Sequence, residues 1–163
     1  MPVTYPVING IRYDFSSVEI SILGKRFPGV KSLNYKQSLN PGMVRGTAAQ
    51  VLGRTRGQYD AEGDMELYRE DADDFLTLIQ ATQPAMGILE IAFDLNINFF
   101  EPIAGAVPSA QNDRVIGARL KEDSASQAQS ADPLVVRYSF HALMLVRNGR
   151  FPVGIPQAIG VRL

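Results

Sequence analysis

Residues 57–67, Gly57-Gln58-Tyr59-Asp60-Ala61-Glu62-Gly63-Asp64-Met65-Glu66-Leu67, alternate position by position. Tyr59, Ala61, Gly63, Met65 and Leu67 fall on one side of an extended chain; Gln58, Asp60, Glu62, Asp64, Glu66 and Tyr68 fall on the other. Period two is the mark of a strand with one buried face, which predicts a strand over residues 58–68. Four carboxylates on one strand face repel one another, at a cost that water and salt reduce without cancelling. Folding alone favours lysine or threonine there, so the acids point to a use for that face.

Downstream, the period changes. Ala72, Phe75, Leu76, Leu78 and Ile79 recur at helical spacing behind Asp71, Asp73 and Asp74, whose charges suit the positive end of a helix dipole. The spacing predicts a helix over 71–83 that stops at Pro84 and lays its apolar stripe on a sheet. Alternation returns at residues 89–99, where Leu89, Ile91, Phe93, Leu95, Ile97 and Phe99 oppose Glu90, Ala92, Asp94, Asn96 and Asn98. Residues 101–108 read as a loop and 114–120 as a strand. Residues 121–133, rich in Ser, Ala, Gln and Asp, read as a flexible loop. Residues 135–146 form the last long strand, with Val136, Tyr138, Phe140, Ala142, Met144 and Val146 on one face. Asn148-Gly149 then turns the chain into a Pro/Gly-rich tail.

Upstream, Asn9-Gly10 between Tyr5-Pro6-Val7-Ile8 and Ile11-Arg12-Tyr13 is a hairpin signal. Val18, Ile20 and Ile22 alternate with Glu19 and Ser21, and Leu33, Tyr35 and Gln37 alternate with Ser32, Asn34, Lys36 and Ser38. These two segments read as adjacent antiparallel strands. Residues 39–57 break the pattern with Pro41, Gly42, Gly46, Gly53 and Gly57, and Arg45, Arg54 and Arg56 make them basic. Loops longer than about 12–15 residues are uncommon in compact domains and usually functional.

The whole chain, 163 residues with 45% hydrophobic and 20% charged, suits one globular domain spanning 1–163. No apolar run approaches the ~20 residues of a membrane span, so membrane insertion is not expected. The first residues lack the pattern of a signal peptide, so the expectation is a soluble chain that stays where it is made. With no cysteine, disulfides and thiolate metal sites are excluded. Net charge is −1, yet residues 1–57 hold eight basic residues against two acids, and residues 58–74 hold eight acids against one base. Such a dipolar layout suits a subunit that meets copies of itself.

Catalytic chemistry finds no footing. The single histidine, His141, lies mid-strand among aromatic and aliphatic neighbours and reads as a packed or interface residue. No Gly-x-Ser-x-Gly accompanies it, and neither phosphate-binding glycine pattern occurs. The carboxylates share one strand face instead of flanking a cleft in unlike environments, as a glycosidase pair needs. No cofactor or metal is expected.

The order of a strand pair, a long basic Gly-rich loop, the stretch 56–67 (RGQYDAEGDMEL) and a helix resembles the tail tube proteins of tailed bacteriophages. It is most similar to those of contractile-tailed phages, whose relatives include the tube proteins of type VI secretion. The resemblance covers most of the chain, residues 17–100 most clearly. It implies a mainly β fold with one flanking helix, a β-sandwich or barrel of the tail-tube type, which forms hexameric rings that stack into a DNA-conducting tube. Implied partners are the chain itself, a tail sheath, a baseplate or initiator and a tail terminator. DNA would pass without specific binding. The implied location is the virion tail, after synthesis in the host bacterial cytoplasm. Under this resemblance Asp60, Glu62, Asp64, Glu66, Glu90, Asp94, Asn96 and Asn98 are candidates to face the lumen. The 39–57 loop becomes an extended inter-subunit contact, with Arg45, Arg54 and Arg56 meeting Asp71, Asp73 and Asp74 of another copy. A secretion-type tube protein and a small-ligand-binding β-barrel stand as alternatives.

Overall fold

The computed structural model describes residues 18–47, 50–99, 111–127 and 132–153. The hairpin expected around Asn9-Gly10, the 101–108 loop and residues 154–163 of the tail lie outside these described residues. Within them the elements run β1 (Val18–Ile22), β2 (Lys25–Arg26), β3 (Val30–Asn40), β4 (Met43–Arg45), β5 (Val51–Arg54), β6 (Gln58–Tyr68), α1 (Arg69–Thr82), β7 (Ala92–Phe99), β8 (Asn112–Ser126), β9 (Val135–Ala142) and β10 (Met144–Arg147). One antiparallel sheet runs β2-β1-β7-β8-β9-β6-β3, with β10 beside β8, while β4 and β5 form a separate hairpin. The fold is mainly β with one flanking helix, as expected.

The strand over residues 58–68 forms as read. Its apolar side buries Ala61, Met65 and Leu67, and β7 buries Phe93, Leu95 and Ile97 on the same side of the sheet. Helix α1 lays Ala72, Phe75 and Ile79 onto that side. The Phe75 ring meets Phe93 and Tyr138 at 5.4 Å and Phe27 at 6.1 Å, edge-on or tilted. Each such fully buried side chain contributes on the order of 2–3 kcal/mol. Just past the helix end, Gln80 Nε2 lies within donating distance of the carbonyls of Gln83, Pro84 and Met86, tying the following turn back to α1.

The sheet curls until distant strands touch across the core. Tyr35 on β3 donates to Asp113 on β8, and Tyr59 on β6 donates to Gln37 while accepting from the Leu145 amide on β10. In the sheet order β6 and β9 separate β3 from β8, so the Tyr35–Asp113 contact is made through the interior of a barrel-like curl.

Four expectations need correcting. First, β1 and β3 are not neighbours: β1 pairs with β7 (Ile20↔Ile97) and β3 with β6 (Leu33↔Met65). The turn at Leu23-Gly24, both at positive φ, returns the chain for a two-residue pairing only. Phe27, its amide still bonded to the Ile20 carbonyl, buries its ring against Phe75, and the chain then crosses to the opposite edge, where β3 pairs with β6. Second, the strand expected from residue 89 begins at Ala92. A 3-10 turn, Ile88–Glu90, precedes it, and the Glu90 carboxylate accepts from the Gly87 amide at 3.0 Å. Third, residues 121–126 belong to β8 instead of a loop, paired with β9 from Glu122↔Ser139 to Ser126↔Val135. Their composition is polar because both their faces are exposed; the ladder from β9 supplies the order that composition does not. Fourth, residues 135–146 break at Leu143, which sits opposite Gly117 (φ +64) and donates its amide to Ile116. This irregularity shifts the alternation, so Leu145 and Val146 are both buried.

Candidate functional site

The side of the sheet away from the core is largely polar, interrupted where Met144 and Val146 of β10 stand in register with Ile116 and Arg114 of β8. Glu19 and Ser21 on β1, Asp94, Asn96 and Asn98 on β7, and Asp60, Glu62, Asp64 and Glu66 on β6 all project from it. The expected lumen candidates therefore share one surface, with Glu90 as the exception, since it folds back onto Gly87.

That surface is not simply acidic. Cross-strand rows set a base beside most acids: Lys36 lies 2.9 Å from Glu62, Arg137 3.3 Å from Asp64 and Lys31 4.0 Å from Glu66. Asn34 adds a hydrogen bond to Asp64, and Arg26 pairs with Glu19 at 2.5 Å. Row by row, Lys36, Glu62, His141 and Arg119 stand in register across four strands. The Lys36 ammonium holds the Glu62 carboxyl below its ordinary range, with Lys121 and His141 adding to the effect. The repulsion read from β6 alone is thus relieved by its neighbours. His141 itself is exposed on this face, so it is not a packed core residue.

These cations were missed as partners. Lys36 was on the polar side of its segment, but only knowledge of the β3–β6 register reveals which acid it meets. Two further arrangements hold the face in place. Asp94 accepts from the Gly117 amide at 2.8 Å, fixing the bulge of β8, and Asn98 is tied to Asn112. Gly63 is needed at the centre: a Cβ there would lie 2.4 Å from the Asn34 carbonyl oxygen and 2.6 Å from the Phe140 ring.

The second candidate surface is the arm. Of residues 39–57, expected as an extended loop, Leu39 and Asn40 end β3 and the rest carry the β4–β5 hairpin, registered by Met43↔Arg54, Val44↔Gly53 and Arg45↔Val51. Thr55 and Gly42 clasp its base through backbone and side-chain hydrogen bonds. Gly57, at φ +87, lets the chain re-enter β6 against the Asn40 backbone, where a Cβ would stand 2.9 Å from the carbonyl. Every described residue of the arm is exposed, including Met43, Val44, Val51 and Leu52, the last at 67%. Arg45, Arg54 and Arg56 line it. Of the acids expected to receive them, Asp73 pairs with Arg69 at 3.6 Å and Asp74 with Lys25 at 3.3 Å within the same chain. Asp71 lies close over Gly29. Among the described residues no group of three or more His, Cys, Asp or Glu side chains is placed to hold a metal ion.

Solved structures share the fold. A chain of the sheath-tube complex of an extracellular contractile injection system in its extended state superposes with a TM-score of 0.63 at 13% identity, covering 89% of this chain and 93% of that one. The SPP1 tail tube matches with a TM-score of 0.60 at 11% identity, covering 90% and 88%. This is the tail-tube fold. A type six secretion system protein matches more distantly, at a TM-score of 0.50 and 10% identity over 89% of this chain and 93% of that one. No protein-family model and no curated protein matches the sequence. The tail-tube fold is thus kept here at identities of 13% and below, by alternation and turns instead of by particular residues.

Proposed function

We propose that this chain is a structural subunit of a phage tail tube, without enzymatic activity. Copies close into hexameric rings, the rings stack, and DNA passes along the resulting channel into the host. The observation that carries this reading is the division of one curled sheet into a largely polar face and a core filled by rings such as Phe75, Phe93, Tyr138 and Phe140. Among the described residues large buried side chains fill the core, which weighs against the ligand-binding barrel. A polar face on a sheet that ends, among the described residues, at the two-residue β2 and at β3 suits the wall of a channel whose edges are closed by neighbouring copies. The arm supplies a contact between copies. The likeness to a sheath-tube complex supports a sheath as partner, and the likeness to a tail tube supports the virion tail as the location; baseplate and terminator partners and assembly in the host bacterial cytoplasm belong to the same proposal.

The balanced charge on the polar face favours a second reading in one respect. With its acids paired to Lys31, Lys36 and Arg137, the face does not demand a polyanion as cargo. A secretion-type tube that carries protein has the same surface. Size-exclusion light scattering of the purified chain, followed by negative-stain microscopy, tests the shared claim. Rings or hollow rods are expected; a monomer at every concentration contradicts both tubes. DNA protected from nuclease inside native tubes separates the first reading from the second.

A further inference from the structure

The hairpin that follows β10 stops after a single pair, and a tyrosine from the foot of the arm stands where its next bond would form. Asn148 and Gly149, both at positive φ, make the tight two-residue turn whose twist matches its flanking strands. Arg147 and Arg150 then exchange both backbone bonds, at 3.3 and 2.8 Å. Bonded and unbonded pairs alternate along an antiparallel ladder, so the continuation is Val146 opposite Phe151, then Leu145 opposite Pro152 as the next bonded pair. The Leu145 amide donates instead to Tyr59 Oη at 3.0 Å. Beyond Arg150 the chain bends at Pro152 and Val153.

The two arrangements of that amide are closely matched. Pro152 offers it a carbonyl but has no N–H to return, so the continued hairpin would gain one bond where Arg147 and Arg150 share two. Continuation would also set Phe151, 37% exposed, beside Val146, and Val153 beside Met144. Tyr59 satisfies the same amide and donates to Gln37 at 2.9 Å. The turn is fixed in either case, because the Asn148 amide donates to the Asn112 carbonyl and to Asp113. Tyr59 is held less firmly. It follows closely on Gly57 at the root of the arm, and the β6–β9 ladder begins only at Ala61↔Ala142, so this end of β6 is paired with β3 alone.

We propose that Tyr59 is a releasable stop that holds residues 150–153 off the edge of β10 and couples them to the arm. While the arm root keeps Tyr59 in place, the hairpin ends at Arg150. When the root shifts, the Leu145 amide passes to the Pro152 carbonyl and the hairpin zips on to Val153. One N–H serves one acceptor well, so the two arrangements exclude each other, as a two-state element requires. The position of the arm thereby sets the direction in which the chain leaves β10. The device belongs to the single chain and does not rest on the tube reading.

Full-length protein carrying Met144→Cys and Val153→Cys tests it, and since the sequence has no cysteine only this one intramolecular disulfide can form. In the continued hairpin the two positions are an unbonded pair with Cα atoms about 4.5 Å apart, inside the roughly 4.4–6.8 Å that a disulfide spans. Mass spectrometry follows closure during mild oxidation. Adding Tyr59→Phe should speed closure about tenfold, the factor that corresponds to one net hydrogen bond. Gly57→Ala should speed it too, because the new Cβ would lie 2.8 Å from the Pro41 nitrogen and push the arm root aside. Gln37→Ala, which removes the acceptor of the Tyr59 hydroxyl, carries the comparison should Tyr59→Phe fail to fold. Without cysteines, a nuclear Overhauser contact between the Met144 and Val153 α-protons should be absent with Tyr59 and present in Tyr59→Phe. Equal closure rates in all backgrounds, or no such contact in a folded Tyr59→Phe protein, overturn the stop. Faster closure in Tyr59→Phe with none in Gly57→Ala overturns the coupling to the arm.

Discussion

Tyr35 Oη donates to Asp113 Oδ2 at 2.5 Å, joining β3 to β8 across the interior of the curled sheet. Asp113 also accepts from the Asn148 amide at 3.2 Å, and the Arg147 guanidinium lies 5.3 Å from the centre of the Tyr35 ring. Burial, reinforced by Asp113, pushes the Tyr35 hydroxyl well above its ordinary range. The polar face keeps its curvature because strands far apart in the sheet are tied at this point.

Tyr35→Phe removes the donor and leaves the aspartate partly buried with one partner fewer. Hydrogen bonds to charged groups contribute about 1.5–3 kcal/mol, and urea unfolding should show a loss of that order. Asp113→Asn should cost less than Asp113→Ala, since the amide oxygen can still accept from one of the two donors. Because the folded tyrosine holds its proton more tightly than the unfolded one, its contribution is complete below about pH 10 and is lost as pH rises through the folded value. Absorbance titration of the phenolates should therefore show a late-ionising class that includes Tyr35, and Tyr138, which is pushed up to about 12.

Gly63→Ala tests how closely β3 and β6 are packed at the centre of the face. The new methyl would meet a backbone oxygen and an aromatic ring at once, so the cost should reach or exceed the ~3 kcal/mol usual for overpacking. Gly53→Ala in the arm, with nothing within 4 Å, should change stability by less than about 0.5 kcal/mol. Thermal unfolding of the two variants side by side checks the contrast.

Glu62 and Lys36 form the cross-strand pair at the middle of the face. The carboxyl is held below its ordinary range by that lysine. The pair's contribution is therefore complete above the unfolded value of about 4.3 and is lost as pH falls through the lower folded value. Carbon-detected NMR titration should show Glu62 ionising below the other exposed glutamates, and Lys36→Met should move it back up.

Glu62→Gln, Asp64→Asn and Glu66→Gln together would leave Lys31, Lys36 and Arg137 without partners. Assembled tubes carrying this triple variant should retain DNA in a salt-dependent way, whereas the unaltered protein should release it. Each freed cation that meets a phosphate adds about 0.9 to the slope of log affinity against log salt. Equal release from both proteins, at low and high salt, would count against a lumen position for these residues.

The strand Gln58–Tyr68, the helix and its buried stripe were legible because each needs only local periodicity. So was the turn at Asn148-Gly149, where both residues take positive φ. Long-range pairing was not legible. Nothing local in Val18–Ile22 announces β7 as its neighbour, because that pairing joins segments far apart in the sequence. Residues 121–126 looked unstructured because exposed strand positions need no hydrophobic alternation. The acids of β6 were legible as a row, while the cations that neutralise them come from β3 and β9 and appear only with the register. Glu90 kept its place in the alternation and lost it in space, since one 3-10 turn sufficed to redirect it.

The most direct test of the central claim is a cryo-electron microscopy reconstruction of the purified, assembled chain. The account predicts a hollow rod of stacked rings whose channel is lined by Asp60, Glu62, Asp64 and Glu66 of β6 together with Asp94, Asn96 and Asn98 of β7. A rod whose channel is lined by α1 or the arm, with the polar sheet face turned to the outside, would contradict it.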